Sequence, residues 1–208
     1  MLNELLERYP VLKACEKDIE AARELLIKTY ENSGKVLCCG NGGSCSDSEH
    51  IVGELMKGFI SLRPVGNEFM SKLEELGFED AEYITKNLQG SLPAIALGSQ
   101  SGILSAFAND VAADMVYGQM AFGYAQPNDV LIGLSTSGNS KNVVYAAKVA
   151  KAKGAKCIAL TGAKDSKLSA ICDVTIKVPE TETFKVQELH LPVYHAICAQ
   201  VEESLFEK

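Results

Sequence analysis

The stretch DVLIGLSTSGNSK, residues 129–141, decides the fold of this chain. Residues 129–134 form an apolar run after a single aspartate, which predicts a buried strand. Residues 141–153 are amphipathic and predict a helix. The loop 135–140 between them is rich in hydroxyl side chains. A strand, a polar turn and a helix in this order predict one unit of a parallel α/β sheet.

The hydroxyl loop, residues 135–140, also predicts a ligand. Its hydroxyl groups and backbone N–H groups face one small volume, and the positive end of the following helix points to the same place. Such a loop can hold a phosphate without a lysine. We therefore expect a phosphorylated small molecule to bind the side chains of Ser135, Thr136, Ser137 and Ser140.

The same alternation runs through the rest of the chain. Apolar runs predict further strands at 35–39, 92–97, 156–160 and 173–178. Amphipathic or helix-like segments fall at 12–32, 44–58, 68–87, 101–122 with a break near 109–110, 166–171 and 184–207. The pattern predicts one domain over 1–208, a three-layer α/β/α sandwich around a five-stranded parallel sheet. Helices precede the first strand within 1–33, and a polar insertion occupies about 61–91.

Composition excludes several classes of function. The chain has 208 residues, is 47% hydrophobic and carries a net charge of −7, which argues against nonspecific binding to nucleic acid or to acidic membranes. The longest uncharged stretch, 87–109, contains a proline and several serines and glycines, so it predicts a strand and a helix start instead of a membrane span. The first residues do not resemble a signal peptide. Seven scattered cysteines without CxxC spacing predict reduced thiols in a cytoplasm.

The glycine-rich turn, GNGGS at residues 40–44, follows one predicted strand and opens a helix. It does not complete a G-x-G-x-x-G pattern, and the acidic residue of a nicotinamide site is absent. A tight turn without a ligand fits the sequence equally well. Beside the hydroxyl loop, however, Asn41, Gly42, Gly43 and Ser44 become candidates for a wall of the phosphate pocket.

His50 and Glu54 lie four residues apart on the helix that follows this turn, so they share one helical face. A histidine and a carboxylate so placed can hold a metal ion or act as neighbouring proton carriers. The same spacing is also typical of an exposed polar pair.

The last predicted helix carries Gln187, His190 and His195. Eight residues separate Gln187 from His195, a rise of roughly 12 Å along a helix, and Pro192 between them is expected to bend the axis. The two side chains could meet at one ion only by reaching inward. Spacing alone equally allows each histidine a place in the core or on the surface.

Asn109 and Asp110 lie at the predicted helix break after the second strand. They could contact a sugar hydroxyl, although Asn and Asp are more typical of a capped helix break.

Taken together, these motifs resemble those of the phosphoheptose isomerases, members of the sugar isomerase (SIS) domain superfamily that act on sedoheptulose 7-phosphate. The motifs occur in the same order in both. They are VLCCGNGGS at 36–44, His50 with Glu54, AND at 108–110, LSTSGNS at 134–140, LTG at 160–162, and Gln187 with His190 and His195.

The resemblance implies a flavodoxin-like, doubly wound SIS domain that forms a homotetramer with active sites at subunit contacts. It implies that Glu54 and His195 transfer protons, and that Asp110 lies near the sugar. It also implies a zinc ion held by His50, Glu54, Gln187 and His195.

Three features depart from the family pattern. Similar enzymes commonly have an arginine four residues after the catalytic glutamate, where this chain has Gly58 with Lys57 beside it. An acidic residue often found before the Gln-Glu pair is absent, with Phe184 near its place. The insertion at 61–91 is longer than usual. These departures affect the identity of the sugar more than the type of reaction.

Three other functions stay open at this point. The chain could isomerise another phosphosugar. It could be a noncatalytic SIS module, like the replication-initiation regulator that works as a protein-binding tetramer, although the presence of Glu54 and His195 favours an enzyme. A phosphosugar-sensing regulator usually adds a DNA-binding domain, for which few residues precede the first strand.

Overall fold

Five strands form one parallel sheet in a computed structural model that describes residues 1–206. The sheet order is β2-β1-β3-β4-β5, and every neighbouring pair is parallel. The predicted five-stranded parallel sheet is confirmed. Its strands are β1 (Val36–Cys39), β2 (Ala94–Ala96), β3 (Val130–Leu134), β4 (Lys156–Thr161) and β5 (Val174–Lys177).

Helices lie in the connections from β1 to β2, from β2 to β3 and from β3 to β4, whereas β4 and β5 are joined by turns. The α-helices are α1 (Leu2–Arg8), α2 (Glu16–Glu31), α3 (Gly43–Met56), α4 (Asn67–Glu75), α5 (Ala81–Asn87), α6 (Ser101–Phe107), α7 (Val116–Tyr124), α8 (Lys141–Ala152) and α9 (Thr183–Phe206). Shorter 3₁₀ segments cover Pro10–Cys15, Leu97–Ser99 and Ala113–Met115, and a π-helical turn covers Ala108–Ala112. Residue 207, predicted to end the last helix, lies outside the described residues.

Alternation along the strands divides the core into two layers. Val36 and Cys38 of β1 face a cluster that includes buried residues of α2, α3 and α9. Leu37 and Cys39 face the other way, into a cluster with α7 and α8. Because successive side chains of a strand point to opposite faces, a continuous apolar run is buried on both sides. The predicted three-layer sandwich is therefore confirmed.

The predicted helix at 12–32 is wrong in its first turn. Residues Pro10–Cys15 form a 3₁₀-helix, and α2 begins only at Glu16. Cys15 has φ −121°, outside the helical region, so the chain changes direction there.

The predicted helix at 68–87 is two helices. Gly77, with φ +81°, ends the first of them in the left-handed conformation that glycine adopts most readily. The break predicted near 109–110 is confirmed, because a π-helical turn interrupts the segment there and Ala112 is extended.

The predicted short helix at 166–171 is wrong, because these residues form only turns. Ser169 Oγ accepts the backbone N–H of Ser166 at 2.8 Å, and Ser166 Oγ accepts that of Ser169 at 3.2 Å. Serine side chains that bond nearby backbone groups offer an alternative to helical hydrogen bonds.

The two ends of the insertion at 61–91 lie next to each other. An isolated antiparallel bridge pairs Pro64 with Gln89, and the N–H of Gly90 donates to the carbonyl of Arg63 at 2.6 Å. Helices α4 and α5 lie between these closing contacts.

The strand order places a topological switch point between β1 and β3. The chain passes from β1 to β2 on one side and then returns to β3 on the other. Ligands of doubly wound sheets bind beyond the carboxyl ends of the strands at such a point. Here the glycine-rich turn and the hydroxyl loop follow β1 and β3 directly.

Candidate active site

The hydroxyl loop is a tight turn, in which the N–H of Gly138 donates to the carbonyl of Ser135 at 2.8 Å. Ser135 is buried, and its Oγ lies 3.0 Å from Oγ of Ser140 across the loop. Gly138 has φ +65°, and a Cβ there would lie 2.1 Å from Oγ of Ser166, so only glycine fits. Thr136 and Ser140 are partly exposed and Ser137 is exposed, which leaves these hydroxyl groups accessible to a ligand.

A pair of amide side chains joins the glycine-rich turn to this loop. Asn41 and Asn142 exchange two hydrogen bonds of 2.9 and 2.8 Å. Asn142 stands in the first turn of α8, so the pair connects the segments after β1 and β3. Gly42, with φ +56°, makes the turn between Asn41 and α3. The predicted pocket wall is therefore adjacent to the hydroxyl loop.

Ser44 differs from the rest of the glycine-rich turn. It is buried at the start of α3, whereas Asn41, Gly42 and Gly43 are exposed. The exposed residues have the accessibility that a ligand requires, and Ser44 lies within the packed base of the turn.

The structure brings His50, Glu54 and His195 together. Nε2 of His50 lies 3.1 Å from Oε1 of Glu54 and 3.4 Å from Nε2 of His195. The two imidazole rings meet edge to face, with centroids 4.8 Å apart. Glu54 is buried, and His195 is partly exposed. Glu54 of α3 and His195 of α9 therefore both lie next to Nε2 of His50.

Helix α9 runs along α3 in the same direction, which explains this meeting. Gln187 lies against Gly43 at the start of α3, since a Cβ on Gly43 would be 2.9 Å from Nε2 of Gln187. Eight residues later, His195 reaches His50. Gln187 therefore faces the glycine-rich turn, and the structure records no contact between it and His50, Glu54 or His195 among residues 1–206.

Lys57 forms an ion pair with the carboxylate of Glu54. Its Nζ donates to Oε2 of Glu54 at 3.1 Å and to the carbonyl of Gly58 at 3.1 Å. The arginine expected four residues after Glu54 is absent from this chain, and the neighbouring lysine approaches the same carboxylate.

Tyr194 and Asp47 support the far side of His50. The Tyr194 hydroxyl donates to Oδ1 of Asp47 at 3.2 Å and lies 3.0 Å from Nδ1 of His50. The carboxylate of Glu54 only accepts hydrogen bonds, so its 3.1 Å contact with Nε2 of His50 is a hydrogen bond when Nε2 carries a proton. In the tautomer that is protonated at Nδ1 and donates to the Tyr194 oxygen, Nε2 would instead present a lone pair.

Burial controls the ionisation of these groups. Burial, together with the nearby His50, lowers the pKa of His195, and Glu54 offsets part of the effect. Burial raises the pKa of Asp47 despite the hydrogen bond from Tyr194. Burial and the neighbouring Asp47 raise the pKa of Tyr194. His195 is consequently neutral near pH 7, where it can take up or give a proton.

His190 lies in the core and away from the candidate site. Its side chain is fully buried, Nε2 lies 3.3 Å from the carbonyl oxygen of Thr161, and Nδ1 has no hydrogen-bond partner among the described residues. Burial lowers the pKa of His190 to about 4. The sequence left a core or a surface position open for this histidine, and the structure places it in the core.

We expect this buried histidine to make the fold sensitive to acid. The folded state keeps His190 neutral, whereas the unfolded chain protonates it below about pH 6.5. The free energy of unfolding should therefore fall as the pH drops from about 6.5 to 4, by about 3 kcal/mol from this residue. Urea unfolding across this range should show a shallower pH dependence for His190→Leu than for the wild type. Equal slopes would contradict the assignment.

Asn109 and Asp110 are not brought to this site. Both are exposed on the π-helical turn, and Nδ2 of Asn109 donates to Oδ1 of Asp110 at 2.8 Å. No contact in residues 1–206 joins them to His50, Glu54 or His195. Their predicted role in sugar binding stays a prediction.

Comparison with known proteins agrees with this fold. Profiles of the SIS domain match residues 102–202 and 2–87. A phosphoheptose isomerase of Aneurinibacillus thermoaerophilus is 36% identical over 90% of this chain and 82% of its own length. One of Helicobacter pylori is 36% identical over 94% of this chain and 92% of its own length. The chain belongs to the phosphoheptose isomerase family.

A solved structure extends this similarity to the backbone. A phosphoheptose isomerase of Neisseria gonorrhoeae superposes on this fold with a TM-score of 0.76 at 30% identity, covering 97% of this chain and 94% of the other. The predicted membership of the SIS superfamily is therefore confirmed. No helix within residues 1–206 combines the length and the apolar character needed to cross a bilayer.

The zinc ion that the resemblance implies can be tested against the residues present. As the side chains stand, residues 1–206 contain no group of three or more His, Cys, Asp or Glu residues that could hold a metal ion. The donor chemistry nevertheless fits zinc, because two imidazoles and a carboxylate are among its preferred ligands. The Nδ1 hydrogen bond of His50 to Tyr194 is also the outer contact that orients a metal-binding histidine.

Four residues of the site were not assigned roles from the sequence. Helical spacing could have found two of them, since Asp47 lies three residues before His50 and Lys57 three after Glu54. Tyr194 contacts His50 from α9, and the ring of Phe59 lies 5.5 Å from that of His195. Tyr194 and Phe59 contact these histidines from other parts of the chain or without a helical spacing, so no local sequence pattern indicates their roles.

Proposed function

We propose that this protein interconverts sedoheptulose 7-phosphate and D-glycero-D-manno-heptose 7-phosphate. The observation that carries the proposal is the meeting of Glu54 and His195 at His50, at the ligand-binding end of an SIS fold. Membership of the phosphoheptose isomerase family supports the choice of substrate.

Each group has a distinct chemical role. Moving a carbonyl between C1 and C2 requires a base for the carbon-bound proton, and we assign this role to Glu54. A second group must move the proton between the two oxygens, and neutral His195 suits this step. Lys57, bonded to Glu54, keeps a positive charge beside the carboxylate.

The phosphate of the substrate is proposed to bind the hydroxyl loop and the N-terminus of α8. Ser135, Thr136, Ser137 and Ser140 supply hydroxyl groups there, with Asn41, Gly42 and Gly43 on the adjoining wall. Fixing the phosphate at one end orients C1 and C2 toward Glu54 and His195.

The decisive experiment measures isomerisation together with proton exchange. Incubation with sedoheptulose 7-phosphate in deuterated water should yield the aldose with deuterium at the isomerising carbon. Faster turnover of a six- or five-carbon sugar phosphate would assign another phosphosugar. Absence of turnover and of exchange with every sugar phosphate tested would favour a noncatalytic binding module.

Loss of one loop hydroxyl should weaken substrate binding. Thr136→Val keeps the shape of a partly exposed side chain but removes its hydrogen bond to a charged phosphate, an interaction worth about 1.5–3 kcal/mol. We expect KM for the sugar phosphate to rise by about 10- to 100-fold, with a smaller change in kcat. Ser105→Ala, on an exposed residue of α6, is the control and should leave both constants unchanged. An unchanged KM in Thr136→Val would place the phosphate elsewhere.

We also propose that His50, Glu54 and His195 hold zinc, with Gln187 as the fourth side chain implied by the resemblance. When bound, zinc supplies a positive charge that polarises the substrate carbonyl. Protein purified without chelators should contain about one zinc ion per chain by elemental analysis, and His50→Ala should lose it. A zinc content far below one per chain in the wild type would contradict this proposal.

We also propose that the protein is a homotetramer in the cytoplasm. Large apolar side chains near the site are exposed in the single chain, including Leu62 at 82% and Ile60 at 61%, which is typical of a surface covered by another subunit. All seven cysteines are free, as expected in a reducing compartment. Light scattering on the purified protein should give the mass of four chains.

A further inference from the structure

A buried ion pair lies directly behind the candidate active site. Arg63 and Glu202 are the partners, and their side chains are 0% and 1% exposed. Nε of Arg63 donates to Oε1 of Glu202 at 2.7 Å, and the guanidinium also lies 4.7 Å from the centroid of the Phe206 ring. A fully buried arginine is rare, because removing its charge from water is costly unless its donors are all satisfied.

Arg63 binds the end of the helix that carries Glu54. Nη2 donates to the carbonyl of Glu54 at 3.1 Å, and Nη1 donates to the carbonyl of Leu55 at 2.7 Å. Helix α3 ends at Met56, so both carbonyls belong to its last turn and have no partner within the helix. The guanidinium therefore caps α3 and holds the backbone of Glu54 itself.

Glu202 binds the segment that follows α3. Its carboxylate accepts the backbone N–H groups of Phe59, Ile60 and Ser61 at 2.7, 2.8 and 3.1 Å. Burial alone would raise the pKa of Glu202, but these bonds and Arg63 outweigh it and lower the pKa. The carboxylate consequently stays charged at neutral pH.

The pair connects the two helices that supply the proposed proton carriers. Glu202 follows His195 by seven residues on α9, about two helical turns, while Arg63 grips α3 at Glu54. Phe59, held by Glu202, also packs its ring 5.5 Å from that of His195. One rigid contact thus sets the end of α3 against α9.

We propose that Arg63 and Glu202 are positioning residues that hold the Glu54 carboxylate in register with the His195 imidazole. This inference rests on the proposed function, because it takes Glu54 and His195 as the proton carriers. It assigns no substrate contact to Arg63 or Glu202. A misplacement of about 1 Å in an active site can lower the rate by roughly 10²-fold, so loss of the Arg63–Glu202 ion pair should reduce kcat. The hydroxyl loop lies on other elements, so KM should change little.

The chain offers a matched control in Asp129. This buried carboxylate accepts backbone N–H groups of Lys35 and Gln126 at 2.9 and 2.8 Å, and the ammonium of Lys35 at 2.6 Å. It lies just before β3, at the end of the sheet opposite the site. Glu202→Gln and Asp129→Asn therefore remove the same kind of interaction at two places, and both should lower the melting temperature.

Only Glu202→Gln should disturb catalysis if the inference is correct. At a temperature where both variants are folded, we expect kcat to fall at least about 10-fold in Glu202→Gln, with KM changed less than about twofold, and both constants unchanged in Asp129→Asn. Arg63→Lys, which keeps the charge but not the fork of donors, should show the same kcat loss as Glu202→Gln. Equal kinetic constants in Glu202→Gln and Asp129→Asn would overturn the inference.

A spectroscopic measurement separates this inference from the proposed function. The ring ¹H–¹³C signals of His195 should shift in Glu202→Gln and stay in place in Asp129→Asn, whether or not the protein turns over a heptose phosphate. An unshifted His195 signal in Glu202→Gln would overturn the positioning role. Inactivity of the wild type would refute only the proposed reaction.

Discussion

Replacement of Glu54 by glutamine is expected to lower kcat by about 10⁴-fold, at the upper end of what a general base contributes. Glutamine keeps the shape and one acceptor oxygen, but it cannot take a proton from carbon. Exchange of the carbon-bound proton with solvent should disappear together with product formation. Isomerisation assays and deuterium incorporation, followed by NMR on the same samples, measure the two rates.

Glu49→Gln is the matched control for this variant. Glu49 lies on the same helix but is exposed, and it accepts a hydrogen bond from Ser99 at 2.9 Å outside the site. Its substitution should leave both rates near those of the wild type. A Glu54→Gln protein that folds normally and keeps its turnover would show that another group is the base.

Replacement of His195 by asparagine is expected to lower kcat by about 10²- to 10³-fold. Asparagine can still form hydrogen bonds, but it cannot shuttle a proton between the substrate oxygens. If Glu54 acts on carbon and His195 acts on oxygen, conversion should fall more than exchange at carbon. The ratio of deuterium exchange to product formation should therefore rise in His195→Asn.

This ratio distinguishes the two roles. In Glu54→Gln both processes are lost together, whereas in His195→Asn exchange should outlast conversion. Leu191→Ala, an exposed position one helical turn before His195, should change neither rate and serves as the control. An unchanged exchange-to-conversion ratio in His195→Asn would mean that the histidine does not separate the two steps.

Much of the fold could be predicted because it depends on local sequence patterns. Four strands are continuous apolar runs, and the loops after β1 and β3 contain residues that serve turns. The errors fall where side chains or turns compete with a helix, as at Ser166 and Ser169, whose hydroxyl groups bond the backbone in place of a helix. Gly77 similarly divided a helix that periodicity predicted as one.

The site could be predicted less completely. The pair His50 and Glu54 follows from helical spacing, and His195 was added by resemblance to a family. Gln187 was grouped with them, but it lies against Gly43. Its eight-residue distance from His195 corresponds to a rise of about 12 Å along α9, and its place at the zinc ion stays a prediction.

The amino-acid sequence by itself determined the order of strands and helices, the hydroxyl loop at 135–140 and the membership of a family, because each depends on short-range patterns. Only the tertiary structure decided that α9 lies along α3, that Tyr194 supports His50, and that Arg63 reaches Glu202 across 139 residues of chain. Contacts of this kind arise when separate elements pack on a common sheet. Side chains distant in sequence then share one buried volume, in which each polar group must find a partner.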